Sequence, residues 1–235
     1  MRDGVVSPAR RVAAGVAGGL VAGASVGGIG GRLAMLLLRA TSSPALHGSQ
    51  TDDGFVIGQV SGNTLFLVIL TMALGVVGGL VYLAIRSWIP VRHRTWTMAV
   101  LGGVVGGATF IHPDGVDFLL LEPLWLAVIL FILLPAAYGA LLSLLVERWL
   151  AAGSGFQTSR AWLIALIPLA ALAFTGVAGL VLVVGMVVLW VLGWLEPGLA
   201  SVWRSRPMVW AGRACLAGVT GYALVTLVDD VGQIL

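Results

Sequence analysis

Apolar runs close to twenty residues long, separated by short polar clusters, set the pattern of the chain. They cover Val12 to about Leu38, Thr64 to Ile85, Thr95 to Ile111, Pro123 to Val146, Arg160 to Thr175, Val177 to Leu195 and Met208 to Val228. At about 1.5 Å of rise per residue, such a run matches the hydrocarbon core of a bilayer, about 30 Å thick. The pattern predicts an all-α fold: a polytopic helical membrane protein forming a single integral membrane domain over residues 1–235, with about seven transmembrane helices.

The polar clusters between the runs differ in charge. Arginines fill the first tail (Arg2, Arg10, Arg11), the 86–94 turn (Arg86, Arg92, Arg94), the 148–160 turn (Arg148, Arg160) and the 198–207 turn (Arg204, Arg206). The 40–63 and 112–122 loops have none and carry Asp52, Asp53, Asp114, Asp117 and Glu122 instead, while Asp229 and Asp230 follow the last run. The positive-inside rule then predicts a bacterial cytoplasmic (inner) membrane protein with its N-terminus cytoplasmic, its acidic loops outside and its C-terminus outside. Residues 160–196 are long for one span and short for two. Arginine on both flanks favours a tight hairpin turning at residues 175–179, with Pro168 in its first arm; a single tilted helix gives about six spans instead. Ala22-Gly23-Ala24 has the form of a signal-peptide cleavage site, but the apolar run continues past it, so the segment is expected to remain as a span.

Glycine supplies a second pattern. Gly15, Gly19, Gly23, Gly27 and Gly31 recur every fourth residue, the spacing of a glycine zipper, and Gly-Val-x-Gly-Gly-x appears at residues 15–20, 75–80 and 103–108. Within lipid the hydrophobic effect does little to hold helices together, so a stripe without side chains promotes association by letting backbones approach closely. Gly15 to Gly31 together with Gly75, Gly79, Gly102 and Gly106 are therefore expected to bring the first three spans into one tight core. Trp88, Trp96, Trp125, Trp149, Trp162, Trp194, Trp203 and Trp210 fall near span ends, where indole anchors to the headgroup zone.

Composition agrees and removes several chemistries. The 235 residues are 59% hydrophobic and 10% charged, with 33 glycines, and the mean hydropathy is +1.05. All 13 basic residues are arginine, which excludes a lysine Schiff base and a Walker-A loop. The lone Cys215 leaves no internal disulfide and no thiolate zinc set, and its apolar surroundings predict a core position. Arginines placed singly, without a basic aromatic stripe, give no nucleic-acid surface. Gly153-Ser154-Gly155 lacks a nucleophile elbow, and carboxylates are confined to span edges, so neither a hydrolase triad nor a proton-coupled carrier is indicated.

One polar constellation remains. Arg32 and Arg39, seven residues apart and thus on one helical face, approach the outer side and call for carboxylate partners among Asp52, Asp53, Asp114 and Asp117. An ion-pair network pinning the 40–63 loop is the leading reading. The alternative is a divalent-metal site from His47, His112, Asp114 and Asp117, a donor set that zinc or manganese accepts; no other cofactor is predicted. Arg213, inside the last span, is expected to snorkel to the headgroups.

Thr51-Asp52-Asp53-Gly54-Phe55, the segment from His112 to Phe118 and Leu134-Pro135-Ala136-Ala137-Tyr138-Gly139 resemble segments of uncharacterised multi-pass membrane proteins of actinobacterial type, over residues 30–145. The resemblance implies the membrane fold and brings no activity, cofactor or site residue. The expected role is a non-catalytic structural or partner-binding membrane component acting through its outer Asp/His/Arg face, with the bilayer, a membrane protein or a second copy as partner and no nucleic acid. The alternatives are a small-solute or ion transporter or channel, and an outward-facing metal-dependent membrane enzyme.

Overall fold

The computed structural model describes residues 8–41, 62–113, 115, 123–167 and 201–235, and these are mostly helical, with no strand among them. Helix α1 is continuous from Pro8–Thr41 and widens into a π-helix at Gly23–Gly30. Helix α2 is Gly62–Ile85, α3 covers residues 94–110 with its own π-helical stretch at Gly102–Gly106, α4 is Leu124–Leu150 and α5 is Arg206–Ile234. Four of them are long and apolar enough to cross a membrane: Pro8–Thr41, Leu67–Ile85, Leu124–Leu150 and Arg206–Ile234. The shorter α3 runs between the same two ends of the bundle, from Met98 beside Ile89 and Tyr82 to Ile111 beside Leu38 and Leu227. The hairpin expected within 160–196 lies almost wholly outside the described residues, as do the loops that hold His47, Asp52, Asp53, Asp114 and Asp117.

Glycine decides which helices meet. A Cβ on Gly15, Gly19 or Gly23 would run into the backbone or side chains of α2 at Gly79 and Leu83, at Gly75 and Val76, and at Thr71 and Gly75. Gly75 and Gly79 press back on Gly19 and Gly15 in the same way. A Cβ on Gly27 would come within 2.8 Å of the Thr71 side chain, whereas one on Gly31 would meet nothing within 4 Å, so Gly31 lies off this contact. An α-helix turns every 3.6 residues, so a stripe spaced by four winds about 40° per step and leaves a partner that crosses it.

The third glycine segment packs elsewhere than expected. Gly102 and Gly106 lie against Pro135, Gly103 lies against Ala136 and Ile132, all on α4, and Gly139 of α4 presses on the Met98 carbonyl of α3. The bundle is thus built on two close pairs, α1 with α2 and α3 with α4, in place of one core made by the first three spans. Tyr138 ties the pairs together by donating from Oη to the Gly75 carbonyl at 2.8 Å. Helix α5 docks by one face, with Gly212 under the Trp88 ring and Leu227 against Ile111 and Gly107. Cys215 is exposed, contrary to the core position its apolar neighbours suggested. An apolar neighbourhood along one helix does not say which face meets the protein when the solvent itself is hydrocarbon.

Candidate functional site

Polar side chains gather at the end of the bundle where α1 and α5 begin and α2 and α4 finish. At the centre is Glu147, one turn before the end of α4. Its Oε1 accepts from Tyr82 Oη at 2.7 Å and from Arg86 Nε at 3.0 Å, and its Oε2 accepts from Arg86 Nη2 at 3.0 Å and Arg94 Nη1 at 2.7 Å. Tyr82 and Arg86 are four residues apart, so they share one face of the α2 terminus. Arg94 opens α3 and also reaches the Ile89 carbonyl at 3.4 Å. The three charged side chains are 28%, 22% and 13% exposed for Glu147, Arg86 and Arg94. In such partly desolvated surroundings a bidentate guanidinium–carboxylate pair is short and directional.

The last turn of a helix leaves carbonyls without intrahelical donors, and its dipole favours cations there. The end of α2 meets both demands with groups delivered by the α5 region. Trp203 Nε1 donates to the Ala84 carbonyl at 2.9 Å, and Arg213 Nε donates to the Trp88 carbonyl at 2.8 Å while its guanidinium lies 5.4 Å from the Trp210 ring centroid. Trp88 and Trp203 pack with centroids 4.9 Å apart. Arg213 therefore holds the turn that follows α2.

Beside this network opens a cavity of about 390 Å³ lined by Arg11, Arg86, Arg94 and Arg204 together with Ser87, Trp203 and Val209. Glu147 neutralises part of that charge. Arg11, in the first turn of α1, stands in the field of Arg204 and Arg86, with no hydrogen bond or ion pair to it among the described residues. Ser87 Oγ is buried there without a hydrogen-bond partner among the described residues.

The opposite end carries the residues whose sequence pattern suggests an ion-pair network or a metal site. Asp52, Asp53, Asp114, Asp117 and His47 lie outside the described residues, so their meeting with Arg32, Arg39 or a metal is not placed. Arg32 and Arg39 share the helical segment Gly31–Thr41. His112 is described: its Nε2 lies 3.0 Å from the Thr109 carbonyl and its Nδ1 3.8 Å from Asp230 Oδ2. Asp230 belongs to α5, which continues to Ile234 beyond the expected end of the last span.

A hydrated path would gather hydroxyl groups from several helices. Those that are described mostly bond within their own helix: Thr71 to Val68, Thr220 to Leu216 and Thr226 to Tyr222 through backbone carbonyls. Tyr222 faces outward at 78% exposure. Thr175 lies outside the described residues.

The Glu147 network was missed from sequence, although a signal was present. Glu147 is a single carboxylate set next to arginine-rich turns, and Tyr82 and Arg86 have the spacing of a shared face. Comparison with protein-family models, with curated proteins and with solved structures finds no match to the chain.

Proposed function

We propose that the chain is a non-catalytic component of the bacterial cytoplasmic membrane that binds a partner of negative charge through the arginine-lined cavity, with that end of the bundle in the cytoplasm. The observation that carries this reading is the surplus of guanidinium over carboxylate. Four arginines line one cavity, and among the described residues Glu147 is the carboxylate that meets them. Cations left unmatched at close quarters repel one another, and a bound anion converts that repulsion into attraction. The described threonine hydroxyls bond mostly to carbonyls of their own helices, which supports a binding role over transport. The end of the bundle that carries the arginines is the one the positive-inside rule assigns to the cytoplasm.

Native mass spectrometry of the protein released from membranes in mild detergent tests this reading. The wild type is expected to retain a non-covalent anionic adduct, and the Arg11→Gln/Arg204→Gln double variant to lose it. Identical bare spectra for the two proteins would overturn the proposal.

A further inference from the structure

Resting on that reading, the geometry points to a narrower ligand class: the cavity takes a phosphate group, borne by a lipid headgroup or free in solution. Charge is the first argument. Glu147 holds Arg86 through two donors and Arg94 through a third, so these two arginines already share a counter-ion. Arg11 and Arg204 also line the cavity and have no carboxylate within ion-pair reach among the described residues. Two unmatched charges call for a divalent anion. A phosphomonoester carries about −1.5 to −2 near neutral pH, whereas a single carboxylate supplies −1.

The surrounding backbone argues the same way. Arg11 lies in the first turn of α1, and Val209, also on the cavity wall, lies in the first turn of α5. Neither first turn contains an acidic residue. The N-terminus of a helix presents the positive end of its dipole and its unpaired N–H groups, which suit an anion and disfavour the arginines placed there. Two such termini border a single cavity. Ser87 Oγ, buried on the same wall without a partner among the described residues, adds a hydroxyl donor.

The cavity volume of about 390 Å³ exceeds what a halide fills and suits a tetrahedral oxyanion with a substituent. Guanidinium groups match the oxygens of phosphate in pairs. Trp203 lines the cavity and packs on Trp88, and indole rings favour the headgroup zone in which a phospholipid phosphate sits.

Thermal unfolding of the purified full-length protein, followed by tryptophan fluorescence, is the test. In detergent, inorganic phosphate is titrated against chloride and against succinate at equal ionic strength. In nanodiscs, phosphatidylcholine with phosphatidic acid is compared with phosphatidylcholine alone. A rise of about 5 °C with phosphate, with phosphatidic acid or with both supports the inference, the responding arm naming the source. The rise should vanish in Arg11→Gln/Arg204→Gln and persist in Arg206→Gln, which changes the charge outside the cavity. No rise in either arm, an equal rise with succinate, or a rise unchanged in the double variant overturns the phosphate assignment. The adduct measured by mass spectrometry distinguishes this failure from that of the broader reading. An arginine-dependent adduct without a phosphate effect leaves a binding cavity with another ligand, and loss of both removes the cavity's role.

Discussion

Glu147 touches more of the charged groups at its end of the bundle than any other described side chain, so its removal tests what holds the site together. Glu147→Gln keeps the shape and deletes the charge. Arg86 and Arg94 then face each other and Arg11 with no counter-ion, while Tyr82 Oη keeps a carbonyl-type acceptor. Breaking a fully buried pair costs about 3–5 kcal/mol, and the partial exposure here lowers the expected loss to about 2 kcal/mol. Tyr82→Phe removes one neutral donor to a charged acceptor and is expected to cost about 1.5 kcal/mol. Chemical unfolding in detergent measures both, and a Glu147→Gln protein as stable as the wild type would show that the arginines find their counter-charge elsewhere. The arginines themselves were legible in the sequence as topology markers. Their convergence was not, because Glu147 and Arg86 are 61 residues apart and helical spacing describes neighbours on one helix only. His112 illustrates the same point, since among the described residues the carboxylate beside it is Asp230 on α5.

At the scale of the helix, spacing predicted faces well and partners less well. The every-fourth-residue stripe identified the side of α1 that meets α2, and the repeated hexapeptide identified the segments where backbones approach. It did not identify that the α3 copy turns toward Pro135 and Ala136 of α4, because a face without side chains accepts any helix that fits. The contacts separate glycines into two groups with opposite expected responses. Gly19→Ala and Gly75→Ala place a methyl group against the facing backbone and should lose about 1–3 kcal/mol through overpacking. Gly23→Leu should part α1 from α2, and Gly106→Leu should part α3 from α4 while leaving the first pair in contact. Gly218, Gly221 and Gly31 meet nothing within 4 Å, so alanine there should gain about 0.5–1 kcal/mol from helix propensity alone. Unfolding of the alanine series, with cysteine crosslinking between α1 and α2 and between α3 and α4 for the leucine variants, checks the division. A uniform response across both groups would mean that glycine acts here through the unfolded chain and not through contact.

For the molecule as a whole, the two ends carry different chemistry. Arg11, Arg86, Arg94, Arg204 and Glu147 collect where α1 and α5 start, while Leu38, Ile111, His112 and Asp230 collect where they finish. Helices α1 and α5 therefore run in the same direction along the bundle. Glu147 of α4 and Trp203, which precedes α5, lie at the same end, so the chain leaves α4 and enters α5 on one side. Pro8 and Leu235 accordingly lie at opposite ends. Hydropathy located the long helices because the bilayer requires runs of a fixed length, and arginine placement predicts their direction because translocating arginine is costly. A reporter that is active only in the cytoplasm, fused before Met1, should give signal, and the same reporter after Leu235 should give none. A reporter active only outside should show the reverse pattern. Replacing Arg204 and Arg206 by glutamine removes the charge bias next to α5 and should send a fraction of the C-terminal fusions to the cytoplasm, whereas the same change at Arg213, within α5 and bonded to the Trp88 carbonyl, should weaken docking of α5 without changing its direction. Both termini on one side in the unaltered protein would contradict the parallel course of α1 and α5, and with it the placement of Arg11 and Arg204 around one cavity.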